Sequence, residues 1–162
     1  MNPTETKTRE AICRLGASIF GRGLTPGSSG NISARIDDGW LMTPTNVSLG
    51  DLDPATLSKL DDQGRLVSGH KETKESFLHL AVYDVRANDK KLAEAVRAAA
   101  HKHHAVLLAN HGPVVAGSSL STAAAAVEEL EETARLHLLL QGHATRLLTP
   151  EQVTELREAF PS

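Results

Sequence analysis

Two stretches of alternating residues, each folded about a short polar turn, most constrain what this chain can become. Over 31–36 polar and apolar residues alternate, Asp37-Asp38-Gly39 turns, and Trp40-Leu41-Met42-Thr43 returns. The run LSKLDDQGRLVSG at 57–69 repeats the arrangement about Asp62-Gln63-Gly64. Period-two alternation on both sides of a Gly-containing polar turn predicts antiparallel hairpins. Helical periodicity surrounds them. Ala11, Ile12, Leu15, Ile19 and Phe20 recur at three- and four-residue steps over about 4–22, with Gly21 and Gly23 as a stop. A second helix is predicted from Thr73 through Val82, a third over about 92–100 and a long fourth over about 121–140. Thr149-Pro150-Glu151-Gln152 combines a cap, a first-position proline and a capping-box glutamine, and so starts a fifth. Hairpins interleaved with helices predict a largely antiparallel sheet covered by helices.

Composition narrows the class. The 162 residues suffice for one domain with a real core, and with aromatics at 3% that core is aliphatic. A net charge of −3 advertises neither nucleic acid nor an anionic membrane as a partner. No window reaches the length of a membrane span, and the polar start MNPTETKTRE lacks an apolar signal core, so a cytoplasmic address is expected. The single cysteine, Cys13, lies in a helical pattern among apolar neighbours and reads as an inert thiol. Ala105-Val106-Leu107-Leu108 reads as a buried strand. In the long helix, Ala123 to Ala126 should pack on a sheet, whereas Glu128, Glu129, Glu131 and Glu132 form a solvated face.

Four stretches hold residue types suited to chemistry. In TPGSSGNIS, at 25–33, small residues permit close backbone approach and exposed N–H groups suit an anion; a flexible turn is the competing reading. The stretch has neither the Gly-Lys-Ser/Thr ending of a P-loop nor GxGxxG spacing. Thr73-Lys74-Glu75 is expected in the first turn of a helix, where Lys74 and the dipole would favour an anion. Glu75 is there either a dipole partner or a general acid/base, and His79, four residues on, either packs or binds metal. His111 follows an apolar strand beside Gly112, as a metal ligand or an acid/base would, though one histidine makes no metal site. His101, His103 and His104 read as a solvated helix end.

Taken together and in this order, GSSGNIS, WLMTPTN, TKESFLHLAVY, AVLLANHGPVVAG and the helix EELEETARLHLLL resemble the class II aldolase/adducin family. The wording LMTPTN and TKESFLH is similar to the branch that decarboxylates phosphorylated 3-oxo sugar acids of the 3-oxo-tetronate 4-phosphate type. Sugar-phosphate aldolases of the family usually have two serines where Thr73 and Lys74 stand. The resemblance implies an α/β fold, specifically three α/β/α layers about a largely antiparallel central sheet. It also implies one divalent metal ion, zinc first with manganese or cobalt as alternatives, a phosphorylated substrate and a homo-oligomer, with a tetramer favoured. By position, Ser29, Gly30 and Asn31 match one phosphate loop, Thr45 and Asn46 a second, and Thr73 and Lys74 a third anion contact. Glu75 matches the catalytic acid/base and His111 a metal ligand. The implied reaction is a decarboxylation through an enediolate. A retro-aldol cleavage of a phosphorylated ketose and a non-catalytic adducin-like assembly role are the alternatives.

One departure from the family pattern stands out. After the helix that follows the glutamate, the family has a strand with a His-x-His pair, the other two metal ligands. Here HLAVYDVRANDKKLAEAV runs directly from helix to helix. The chain therefore reads as a single domain over 1–162, with an internal segment expected near 87–91 absent. An α-carbon separation well above the roughly 3.8 Å of a trans peptide between Val85 and Leu92 would mark missing residues.

Overall fold

The structure, a computed structural model, describes residues 3–83, 96, 98–99 and 103–160. The junction between Val85 and Leu92 and the body of the helix expected over 92–100 lie outside the described residues, although Val96, Ala98 and Ala99 are helical. The chain divides into two compact units, Met1–Val127 and Glu128–Ser162.

The first unit opens with α1 (Pro3–Gly21). The two hairpins form as expected, as β1 (Ser33–Ile36) with β2 (Gly39–Met42), and β3 (Ser58–Leu60) with β4 (Leu66–Ser68). They join into one antiparallel sheet in the order β1-β2-β3-β4, with Ser33 opposite Met42 and Trp40 opposite Leu60. Gly39 has φ of +139°, and a Cβ there would lie 1.9 Å from the Leu60 carbonyl oxygen, so the turn into β2 requires glycine.

Every residue of β2 is buried, and its alternation serves two cores. Leu41 points to one face, into a cluster with Ile12 of α1, Ile36 and Leu57. Trp40 and Met42 point to the other, into a cluster with Leu60 and Leu80. Leu80 belongs to α2 (Ser76–Val82), so helices cover both faces of the sheet. The layering is α/β/α, as the sequence led one to expect. Cys13 packs beside the first cluster, and burial raises its thiol pKa, as does nearby Asp53.

α1 is held by charge as well as by apolar contact. Arg9 donates to Glu5 at 2.9 Å and to the carbonyls of Pro54 and Leu57 at 2.9 and 3.0 Å. Lys59 of β3 donates to Glu5 at 3.0 Å and to Asp38 at 2.7 Å. Apolar periodicity located the helix but gave no sign that Glu5 and Arg9 would be buried.

Among the described residues, β5 (Ala105–Leu108) and β6 (Gly112–Val115) form an antiparallel ladder of two strands. The expected buried strand at 105–108 forms, yet Leu107 is 79% exposed. A strand in a two-stranded ribbon turns alternate side chains outward, which an unbroken apolar run cannot reveal. α3 (Leu120–Leu140) begins in the first unit, where Leu120 packs on the Leu41 cluster. Its alanines Ala123, Ala124 and Ala126 are half-buried and Ala125 is exposed, and its glutamates are solvated as expected.

The second unit contains the remainder of α3 and α4 (Pro150–Ala159). Its capping box is complete: the Thr149 hydroxyl accepts the Gln152 N–H at 3.3 Å, and the Gln152 side chain accepts the Thr149 N–H at 3.1 Å. Among the described residues no helix is long and apolar enough to cross a membrane.

Candidate active site

Two periodicities meet at the edge of the first sheet. Asn31 and Ser33 are two residues apart entering β1, so their side chains share one face. Glu75, His79 and Tyr83 are spaced by four along α2 and its two caps, and share one helical face. Two strand residues advance about 6.6 Å and four helical residues about 6 Å, so the two rows match in step. They interlock accordingly. Asn31 Nδ2 donates to Glu75 Oε2 at 2.6 Å, and Asn31 Oδ1 is bonded to His79 Nε2. Ser33 Oγ lies 2.8 Å from His79 Nδ1 and 3.3 Å from Tyr83 Oη.

This arrangement decides the role of His79. Both ring nitrogens are engaged within the fold, so the metal-ligand reading of that residue is not what the structure shows. Burial drives its pKa down to about 4, against the opposing pull of the Glu75 charge, so the ring is neutral at neutral pH. Burial likewise raises the Tyr83 pKa, and the Tyr83 ring lies 6.1 Å from that of Trp40.

His111 comes to the same place from the other hairpin. The β5–β6 turn passes through Asn110 at φ +58° and Gly112 at φ +140°, and the His111 N–H donates to the Leu108 carbonyl at 3.2 Å. Its Nε2 stands 3.4 Å from Glu75 Oε1. The Glu75 carboxylate thus has one oxygen on Asn31 and the other facing His111, and its side chain keeps 35% exposure.

Thr73-Lys74-Glu75 departs from expectation. The helix starts at Ser76 with Glu75 as its N-cap, so Thr73 and Lys74 precede it. The cause is local pairing: Pro44 bridges Glu72, and the Thr45 N–H donates to the Lys71 carbonyl at 3.0 Å, which keeps this stretch extended. Thr73 is buried, its hydroxyl accepting the Glu75 N–H at 3.3 Å, while Lys74 is exposed.

The remaining expected residues lie on turns. Ser29 donates its hydroxyl to the Pro26 carbonyl at 2.5 Å. Gly30 has φ of +77°, and a Cβ there would lie 2.8 Å from the Thr25 methyl. Asn46 has φ of +60° and is exposed, whereas Thr45 is half-buried. The structure therefore joins Asn31, Thr73, Glu75 and His111 through Glu75, and adds Ser33, His79 and Tyr83. Among the described residues no three His, Cys, Asp or Glu side chains converge as a metal site would need. His101 lies outside the described residues, and His103 and His104 are exposed.

Comparison with known proteins gives a consistent outcome. The family described as Class II Aldolase and Adducin N-terminal domain matches in two pieces, residues 10–90 and 84–138. The chain is 39% identical to the 3-oxo-tetronate 4-phosphate decarboxylase of Cupriavidus necator, covering 97% of each chain. It is 35% identical to the protein of that name from Escherichia coli strain K12, covering 94% of this chain and 96% of the other. The first alignment extends over 211 positions, more than the 162 residues here, so it crosses positions for which this chain has no residue. In structure the chain resembles YgbL from Escherichia coli, with a TM-score of 0.89 at 34% identity over 95% of this chain and 99% of that one.

Proposed function

This chain belongs to the class II aldolase and adducin family, and from that premise we propose that it decarboxylates a phosphorylated 3-oxo sugar acid of the 3-oxo-tetronate 4-phosphate type. The products are carbon dioxide and a ketose phosphate. Relatives named for that activity support the substrate class. The observation that carries the chemistry is the Glu75 carboxylate, fixed by Asn31 on one oxygen, open to His111 on the other and still partly exposed.

When the bond to the carboxylate carbon of a 3-oxo acid breaks, its electron pair passes into the neighbouring carbonyl as an enediolate. A proton must then reach carbon. Glu75 is the group we assign to carry it. The turns at Ser29, Gly30 and Asn31 and at Thr45 and Asn46, with Thr73, hold the phosphate end and so set the position of the breaking bond. The backbone of Asn31 serves the phosphate, because its side chain is committed to Glu75 and His79. Exposed Lys74 supplies positive charge toward the phosphate or the carboxylate.

The reading calls for a divalent ion, zinc in the first instance and manganese or cobalt otherwise. His111 is the ligand we assign among the described residues, with the Glu75 carboxylate beside it. Two donors fall short of the three protein ligands of a catalytic site, so the described residues do not by themselves fit the ion. On this reading the chain is a single domain over 1–162, and the two further histidines belong to an internal segment absent near 87–91. The protein is further proposed to act as a cytoplasmic homo-oligomer, a tetramer, with no nucleic-acid or membrane partner.

The test is to measure zinc and manganese per chain in purified protein and to assay carbon dioxide release from 3-oxo-tetronate 4-phosphate. Bound metal with carbon dioxide release supports the reading. An aldehyde product from a phosphorylated ketose would replace it with an aldolase. Absence of both metal and turnover in an intact oligomer would replace it with an assembly role.

A further inference from the structure

The amide of Asn31 poses an orientation problem that the fold has to solve. One end must face Glu75, whose ionised carboxylate only accepts hydrogen bonds. If the amide turned over, its carbonyl would meet that carboxylate at 2.6 Å and repel it. The correct orientation leaves Asn31 Oδ1 pointing at His79, where it needs a donor. A neutral imidazole has one N–H, so the donor exists only in the tautomer protonated on Nε2. That tautomer leaves Nδ1 as an acceptor, and the hydroxyl of Ser33 stands 2.8 Å from it. A serine has one proton to give, and Ser33 Oγ lies closer to His79 Nδ1, at 2.8 Å, than to the phenol oxygen of Tyr83, at 3.3 Å.

We propose that His79 is a positioning residue: held as its Nε2–H tautomer by Ser33, it fixes the Asn31 amide so that Nδ2 faces Glu75 and holds the carboxylate in its working orientation. The proposal rests on the reading of Glu75 as the acid/base. It adds Ser33, His79 and Tyr83 to the site, although none of the three is placed against the substrate. The neutrality of the ring agrees with it, since an imidazolium would present a second donor to Ser33 and release the tautomer constraint.

Two measurements test this. Nitrogen NMR of the histidine rings at pH 7, with His79 identified by its loss in His79→Gln, should show Nε2 protonated and Nδ1 bare; Ser33→Ala should shift that ring toward a tautomer mixture. A ring protonated on Nδ1 in the native protein overturns the proposal. Kinetically, His79→Phe should lower kcat by roughly 10–100-fold with KM changed little. His79→Gln, whose amide can reach Asn31 as Nε2–H does, should recover most of that loss. Should His79→Phe be unstable, Ser33→Ala gives the second reading, a partial fall in kcat at unchanged KM. Equal losses in the Phe and Gln variants, or an unchanged kcat in both, would overturn the positioning role. If the native protein releases no carbon dioxide, the reaction reading fails, and the tautomer still decides whether the relay is built as described.

Discussion

Asn31 and Glu75 are 44 positions apart in sequence and 2.6 Å apart in space, amide nitrogen to carboxylate oxygen. This contact ties the end of the glycine-serine turn directly to the residue assigned the proton transfer. The pair exists because a strand row and a helix row of nearly equal step lie face to face.

Glu75→Gln should preserve the shape of the site and the acceptor that faces Asn31, yet remove the group that exchanges a proton. Turnover should fall by about 10²–10⁴-fold, with KM or the affinity for a phosphate-bearing inhibitor little changed. Steady-state kinetics checks it, and near-native turnover would remove Glu75 from the role.

Asn31→Asp replaces a donor by a second carboxylate at hydrogen-bond distance from Glu75. Two acceptors at that range repel, and Glu75 should swing away. We expect a loss in kcat larger than for His79→Phe, because the contact itself is removed rather than its support. Comparison of the two variants under identical conditions checks the order.

Glu5 predicts an acid-sensitive anchor. Burial raises its pKa, but hydrogen bonds from Lys59 and Arg9 outweigh burial and hold it below the usual carboxylate value of 4.5. A depressed folded-state pKa stabilises the fold above the unfolded pKa and loses that stabilisation as pH falls through the folded one. Glu5→Gln should therefore cost roughly 2 kcal/mol at pH 7. The gap from the native protein should close below about pH 4.5, starting at the unfolded pKa. Urea unfolding midpoints from pH 7 to pH 3 measure it.

Leu41 is fully buried at the centre of the first core cluster, with Ile12, Ile36 and Leu57 around it. Leu41→Ala should cost about 2–5 kcal/mol through lost burial and the cavity left behind. Chemical denaturation checks the value. Leu66→Ala, at a residue 44% exposed on β4, should cost far less.

Much of this molecule is legible before folding because its signals are local. The hairpins about Asp37-Asp38-Gly39 and Asp62-Gln63-Gly64, the span of α1 and the capping box at Thr149 each depend on neighbours within a few residues. The order of the family motifs was also readable, and with it the residues Asn31, Thr73, Glu75 and His111 that are proposed for the site and that the structure brings together. The rows Asn31-x-Ser33 and Glu75-x₃-His79-x₃-Tyr83 carry the right periods, which is the signal that was present for the relay.

Periodicity shows that residues share a face but not what that face meets. Only the tertiary structure set Asn31 against both Glu75 and His79, spent both nitrogens of His79 inside the fold, and buried Glu5 and Arg9 under β3. It also turned Leu107 outward and started α2 at Ser76 instead of Thr73, because the pairing of Pro44 with Glu72 overrode local helix preference. Local backbone preferences and alternation are properties of the chain itself. Which faces meet, and which polar groups are satisfied when they do, depends on contacts between segments far apart in sequence, and those are decided when the layers pack.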